Sequence, residues 1–124
     1  MNVTFEMPYP PSVNSIYKKI RGKVSKKTGK RSDHALDDRV VKYRWDVIAA
    51  IGKGHATITT PVRVIIHAHA PDKRRRDLDN LCKCIFDSLT CAGVWKDDSL
   101  VDDLRIVRKE PVPNGKIILT VETI

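Results

Sequence analysis

Two acidic groups stand out in an otherwise basic chain. Asp77-Leu78-Asp79 directly follows Lys73-Arg74-Arg75-Arg76, and Asp97-Asp98 is followed shortly by Asp102 and Asp103. Carboxylates brought close together resist joint ionisation unless a cation sits between them. Hard oxygen donors suit Mg²⁺, which takes one or two carboxylates and keeps waters and phosphate oxygens in its shell. Phosphodiester hydrolysis uses such an ion to activate water and to stabilise the attacking and leaving oxygens. The adjoining basic run suits the same chemistry, because Lys and Arg hold a phosphate backbone without reading its sequence. Lys83 stands one helical turn beyond Asp79, where an ammonium could orient the attacking water or balance charge on the phosphorane.

Each of these residues also has a plainly structural reading. Asp77 is a good helix N-cap. Asp79 and Lys83 are spaced as a surface ion pair, worth about 0.2–0.5 kcal/mol. Asp97-Asp98 is ordinary turn chemistry. His67 and His69 share the polar side of a strand and suit hydrogen bonding as well as metal. His34 and His55 are isolated, and no glycine-rich phosphate loop or nucleophile elbow is present. Cys82, Cys84 and Cys91 are too few and too close for a disulfide framework. Cys82 and Cys84 point to different sides of a helix, which disfavours zinc. All three read as reduced, partly buried thiols.

The setting fits a polyanionic partner. The chain has 124 residues, 41% apolar and 31% charged, with a net charge of +8 and a pI of about 9.6. That length and composition predict one domain over 1–124. The charge points first to nucleic acid. No apolar run approaches the roughly 20 residues of a membrane helix. The opening residues carry neither a basic region nor a long apolar one. The expectation is a cytoplasmic protein with no membrane partner.

Four strands and two helices must position these groups. Residues 2–7 alternate as a strand, with Val3, Phe5 and Met7 on one side, and the prolines from Pro8 to Pro11 end it. Residues 18–31 read as a basic loop or loose hairpin. Apolar spacing predicts a helix from about Asp33 to Ile51, closed by Gly52. A strand over 62–70 follows a loop with Gly54 and Pro61. A helix over about Leu78 to Ala92 is capped by Asp77 and closed by Gly93. A strand over 103–109 is expected to form a hairpin with a last strand over 116–122, through the turn at Pro111 to Gly115. The fold class is α+β, a small mixed sheet packed against two main helices. If the strands at 62–70 and 103–109 are neighbours, the two acidic groups could meet.

One ordered run carries a resemblance. Pro71 to Leu81, Lys83, Phe86-Asp87-Ser88-Leu89 and Gly93 to Asp98 closely resemble the signature of the RusA family of Holliday junction resolvases. The opening Pro8 to Ser15 looks like that family's opening. The resemblance implies a small homodimer with a mixed α+β fold, often carried by prophages, acting on four-way or branched DNA by paired symmetric nicks. By motif match, Asp77, Asp79 and Asp98 would be the catalytic carboxylates that bind Mg²⁺, with Mn²⁺ as a substitute. Lys83 would be the catalytic lysine, and Asp97 matches the acidic neighbour. Lys73, Arg74, Arg75, Arg76 and Asn80, with Ser12, Val13, Asn14 and Ser15, match segments associated with DNA contact. Val13 stands where an asparagine is common, 18–31 is unusually lysine-rich, and 52–60 match poorly. Two other classes fit the same residues: a non-catalytic nucleic-acid-binding prophage protein whose aspartates only cap and turn, and a metal-dependent ribonuclease.

Overall fold

The computed structural model describes residues 2–11 and 38–124. In chain order the elements are β1 (Asn2–Met7), α1 (Asp38–Ile51), β2 (Val62–His69), a 3₁₀ turn (Leu78–Leu81), α2 (Cys82–Cys91), a second 3₁₀ turn (Asp98–Leu100), β3 (Val101–Arg108) and β4 (Lys116–Thr123). The four strands form one mixed sheet in the order β1-β4-β2-β3. β4 pairs antiparallel with both β1 and β2, whereas β2 and β3 are parallel. The architecture is therefore α+β, as expected. Ser12 to Ser15, the basic stretch 18–31 and the helix start at 33–37 lie outside the described residues.

Alternation decides which face is covered. Val62, Val64, Ile66 and Ala68 of β2 are buried, as are Ile117, Leu119 and Val121 of β4. They join Tyr43 and Val47 of α1 and Cys84, Ile85 and Leu89 of α2 in one core. Each fully buried aliphatic side chain there contributes about 1.5–3 kcal/mol relative to exposure. Val94 and Trp95 close the far side, and Ile58 joins them through a parallel bridge to Trp95. The segment around Ile58 is thus part of the core, a role the loop reading of that stretch did not include.

The expected hairpin between the last two strands does not form. β4 inserts between β1 and β2, and β3 takes the sheet edge. The side chains explain the choice. A central strand must bury alternate residues completely, and Ile117, Leu119 and Val121 do so. Asp102 to Arg105 are all exposed, which suits an edge. After β3 the chain crosses the end of β2, where Lys109 N–H donates to Ala68 O at 2.9 Å and Val112 N–H to Ala70 O at 3.0 Å.

The second helix also differs from its expectation. A 3₁₀ turn occupies Leu78–Leu81 before α2 begins at Cys82. In a 3₁₀ turn positions i and i+3 eclipse. Leu78 and Leu81 therefore both meet the core. Of the three free thiols, Cys84 is buried and Cys82 half-buried, but Cys91 is exposed at the end of α2, against the expectation of partial burial.

Candidate active site

β2 ends at His69 and Pro71 prevents its extension. The chain then makes a tight basic loop. Asp72 accepts from Arg74 N–H at 2.9 Å and from Arg76 Nη1 at 2.7 Å. Its carboxyl is held well below the usual range, first by the Arg76 bond and then by the Arg74 backbone N–H. The basic run is therefore split. Lys73, Arg74 and Arg75 are exposed. The Arg74 side chain is 82% exposed and that of Arg76 only 25%. Arg76 turns inward, under the ring of Tyr9, with its guanidinium carbon 5.9 Å from the ring centroid. Arg108 of β3 donates to Arg76 O and ties the loop to the sheet edge.

Tyr9 is held from two sides. Tyr43 Oη on α1 donates to Pro8 O at 2.7 Å. Gly115 has φ +69°, and a Cβ there would sit 2.9 Å from Tyr9 Cβ and 3.1 Å from His69 O. The bare glycine lets the turn before β4 close on the tyrosine. Burial raises the Tyr9 phenol, opposed by the Arg76 and Arg108 cations.

These pieces wall a groove of about 700 Å³. Tyr9, Pro10 and Pro11 line it together with Arg74, Arg75, Arg76, Asp77 and Asn80. Asp77 and Asp79 are both exposed. Asp77 occupies the N-cap position of the 3₁₀ turn with extended backbone, φ −89° and ψ 132°, yet its side chain makes no capping hydrogen bond. The capping role expected of it is not taken up. Lys83 lies in the first turn of α2, with Nζ 4.0 Å from Asp87 Oδ2. The ion pair expected between Lys83 and Asp79 is replaced by this one, further along the helix. Arg44 of α1 reaches the same Asp87 carboxylate at 3.9 Å and joins the two helices.

The second acidic group is placed differently. Asp97 accepts from Ser99 N–H at 3.2 Å, and its carboxyl is lowered chiefly by hydrogen bonds from Ser99. Asp98 is half-buried. β2 and β3 are neighbours, but their register is parallel, with Val62 beside Val101 and Ala68 beside Arg108. Asp98 therefore leads into the pair where β2 starts. Asp77 follows it where β2 stops and shares a cleft with Ala68, Ala70 and Arg108. Among the described residues no group of three or more His, Cys, Asp or Glu stands close enough to hold a metal ion. The sheet brings together Asp77, Asn80 and the arginines, not Asp77 and Asp98. His69 is engaged elsewhere, with Nδ1 2.9 Å from Glu110 O. Burial, then the Lys109 cation, lowers the pKa of His67.

Three participants were not foreseen. Asp72 lay inside the Pro71 to Leu81 run that carries the resemblance, with no role of its own assigned to it. Tyr9 read as part of a proline-rich strand end. Arg108 lay within the strand expected over 103–109, with no role assigned to it.

Residues 8–122 match the family model described as endodeoxyribonuclease RusA. The chain is 38% identical over 115 residues to crossover junction endodeoxyribonuclease RusA of Escherichia coli K12, covering 93% of this chain and 89% of that protein. A protein of the same name from Enterobacteria phage 82 is also 38% identical, with the same coverage. Another from E. coli O139:H28 is 39% identical, again with 93% and 89% covered. With residues 8–122 matching the family model and 93% of the chain aligned at 38% identity, this chain belongs to the RusA endodeoxyribonuclease family.

Proposed function

We propose that the protein is a divalent-metal-dependent endodeoxyribonuclease that resolves four-way DNA junctions by paired symmetric nicks. One observation carries the reading: an uncapped, exposed Asp77 sits on the rim of a groove walled by Arg74, Arg75 and Arg76. A structural turn needs no such juxtaposition. A phosphodiesterase does, because the cations hold the backbone phosphate while the carboxylate works beside it.

The donor set fits Mg²⁺, or Mn²⁺ in its place. Asp77 and Asp79 lie on one short turn with exposed carboxylates, and one or two carboxylates are what Mg²⁺ takes from a protein. Asp77, Asp79 and Asp98 would hold the ion. When bound it supplies Lewis-acid charge and an activated water. The residues of the chain do the rest. Arg74 and Arg75 bind the phosphate backbone, Asn80 faces the groove beside them, and the Lys83 ammonium balances charge near the scissile phosphate. No DNA contact by Ser12, Val13, Asn14 and Ser15 is needed for this reading, although in the chain they directly follow the groove residue Pro11.

The placement of Asp98 favours a homodimer. A four-way junction needs two opposed nicks, and two copies about a two-fold axis match its symmetry. Within one chain Asp98 lies at the other end of the β2–β3 pair from Asp77. A second copy running antiparallel would present its Asp98 end toward the first copy's Asp77 end. The relative in phage 82 also suits a prophage origin. Among the described residues no helix is long and apolar enough to cross a membrane.

The test is a synthetic four-way junction incubated with Mg²⁺. Paired nicks across the junction are expected. A gel shift without nicks would overturn the enzymatic reading in favour of a binding protein, and preferential cutting of RNA hairpins would favour a ribonuclease. Sedimentation equilibrium at micromolar concentration should show a dimer. A monomer making only single nicks would remove the resolvase reading.

A further inference from the structure

A carboxylate beside a phosphate-holding groove works against the groove. Asp72, 41% exposed at its side chain, stands beside the groove, in the loop that carries Arg74, Arg75 and Arg76, and lines the smaller cleft it shares with Arg76 and Asp77. Its hydrogen bonds show what it does there. Among the described residues, every hydrogen bond donated by the Arg76 guanidinium leaves from Nη1: to Asp72 Oδ1 at 2.7 Å, to Arg74 O at 3.2 Å and to Asp72 O at 3.3 Å. A guanidinium has five N–H donors in a rigid planar fork. With Nη1 anchored, Nε and Nη2 keep fixed directions. The guanidinium carbon lies over the Tyr9 ring, and Arg76 lines the groove beside Asp77 and Asn80.

We propose that Asp72 and Tyr9 are positioning residues: they clamp Arg76 so that its remaining edge is aimed at a DNA phosphate next to Asp77. The clamp rests on the reading of the groove as the DNA site. Its physical gain is preorganisation. An exposed arginine loses side-chain freedom when it grips a phosphate. Arg76 has lost that freedom already in the folded protein, and the planar fork lets one carboxylate fix the whole group. Arg74, at 82% exposure, is the contrast within the same loop.

The proposal gives an effect whose sign opposes simple electrostatics. Asp72→Asn removes a negative charge from a DNA-binding loop, which by itself tightens binding. If Asp72 positions Arg76, the same change weakens binding to a synthetic four-way junction, measured without divalent metal, by about tenfold, the loss of roughly one charge-assisted hydrogen bond. Asp72→Glu should recover part of it. In an Arg76→Ala background, Asp72→Asn should cause no further loss. Tyr9→Leu should weaken binding in the wild type and not in Arg76→Ala, and it serves as the second arm if Asp72→Asn does not fold by circular dichroism. Unchanged or tighter binding by folded Asp72→Asn, or an undiminished loss in the Arg76→Ala background, overturns the clamp. If Arg76→Ala itself binds and nicks like wild type, the groove reading fails; if only Arg76→Ala weakens binding, the clamp alone fails.

Discussion

Among the described residues two short 3₁₀ turns are led by an aspartate, and the two carboxylates are engaged differently. Asp97 gives its carboxylate to Ser99 N–H and caps the turn before β3. Asp77 stands in the same position before α2 with the same extended backbone and caps nothing. Its place is taken by other contacts. Arg108 holds the preceding carbonyl, and Asp72 with Tyr9 holds the preceding side chain. A turn held by its neighbours leaves the carboxylate of its first aspartate without a capping bond, whereas a turn that relies on its own cap engages it.

The largest effect expected from this contrast is on cleavage. Asp77→Asn, Asp79→Asn or Asp98→Asn should abolish nicking of a four-way junction while binding is kept or strengthened, because a carboxylate facing phosphate is removed. Asp97→Asn should retain nicking and lower the melting temperature. Wild-type nicking by Asp77→Asn, or complete loss in a folded Asp97→Asn, would reverse the assignment.

A middling effect concerns the exposed cations that flank Asp77. Arg74→Ala and Arg75→Ala should weaken binding to all DNA sequences alike. Each should reduce the slope of log affinity against log salt by about 0.9, one phosphate contact. A sequence-selective loss would mean that these residues read bases.

A smaller effect is the pH dependence of the cap. The folded pKa of Asp97 is depressed by Ser99. Its stabilisation is therefore present above the unfolded pKa of about 3.9 and is lost as pH falls through the lower folded value. Asp97→Ala should melt below wild type at pH 7, with the gap closing in strong acid. A constant gap would show that the carboxylate does not act through its charge.

The smallest effect tests α2, which links the turns. Burial pushes the Cys84 thiol up to about 11, whereas Cys91 is exposed. The thiolate is the reactive form. Iodoacetamide at neutral pH should label Cys91 long before Cys84, as peptide mapping would show. Equal rates would mean that α2 opens readily.

Much of this was legible before any coordinates. Alternation in β2 and helical spacing in α1 marked core faces, because side-chain period follows backbone geometry locally. The acidic and basic runs around Asp77 were visible as neighbours in the chain, and their motif carried the family. Strand order was not visible. The turn at Pro111 to Gly115 suits a hairpin, and only competition for the fully buried central position sent β4 between β1 and β2 and left β3 at the edge. Nor could the run Lys73 to Arg76 say which arginine turns inward. That depended on Tyr9 arriving from more than sixty residues away, on a glycine at 115 that lets it close, and on a parallel register that sets Asp98 at the far end from Asp77. Local pattern determines which residues face the core. Which distant side chains meet is decided by packing, since those contacts form only once the sheet has chosen its order.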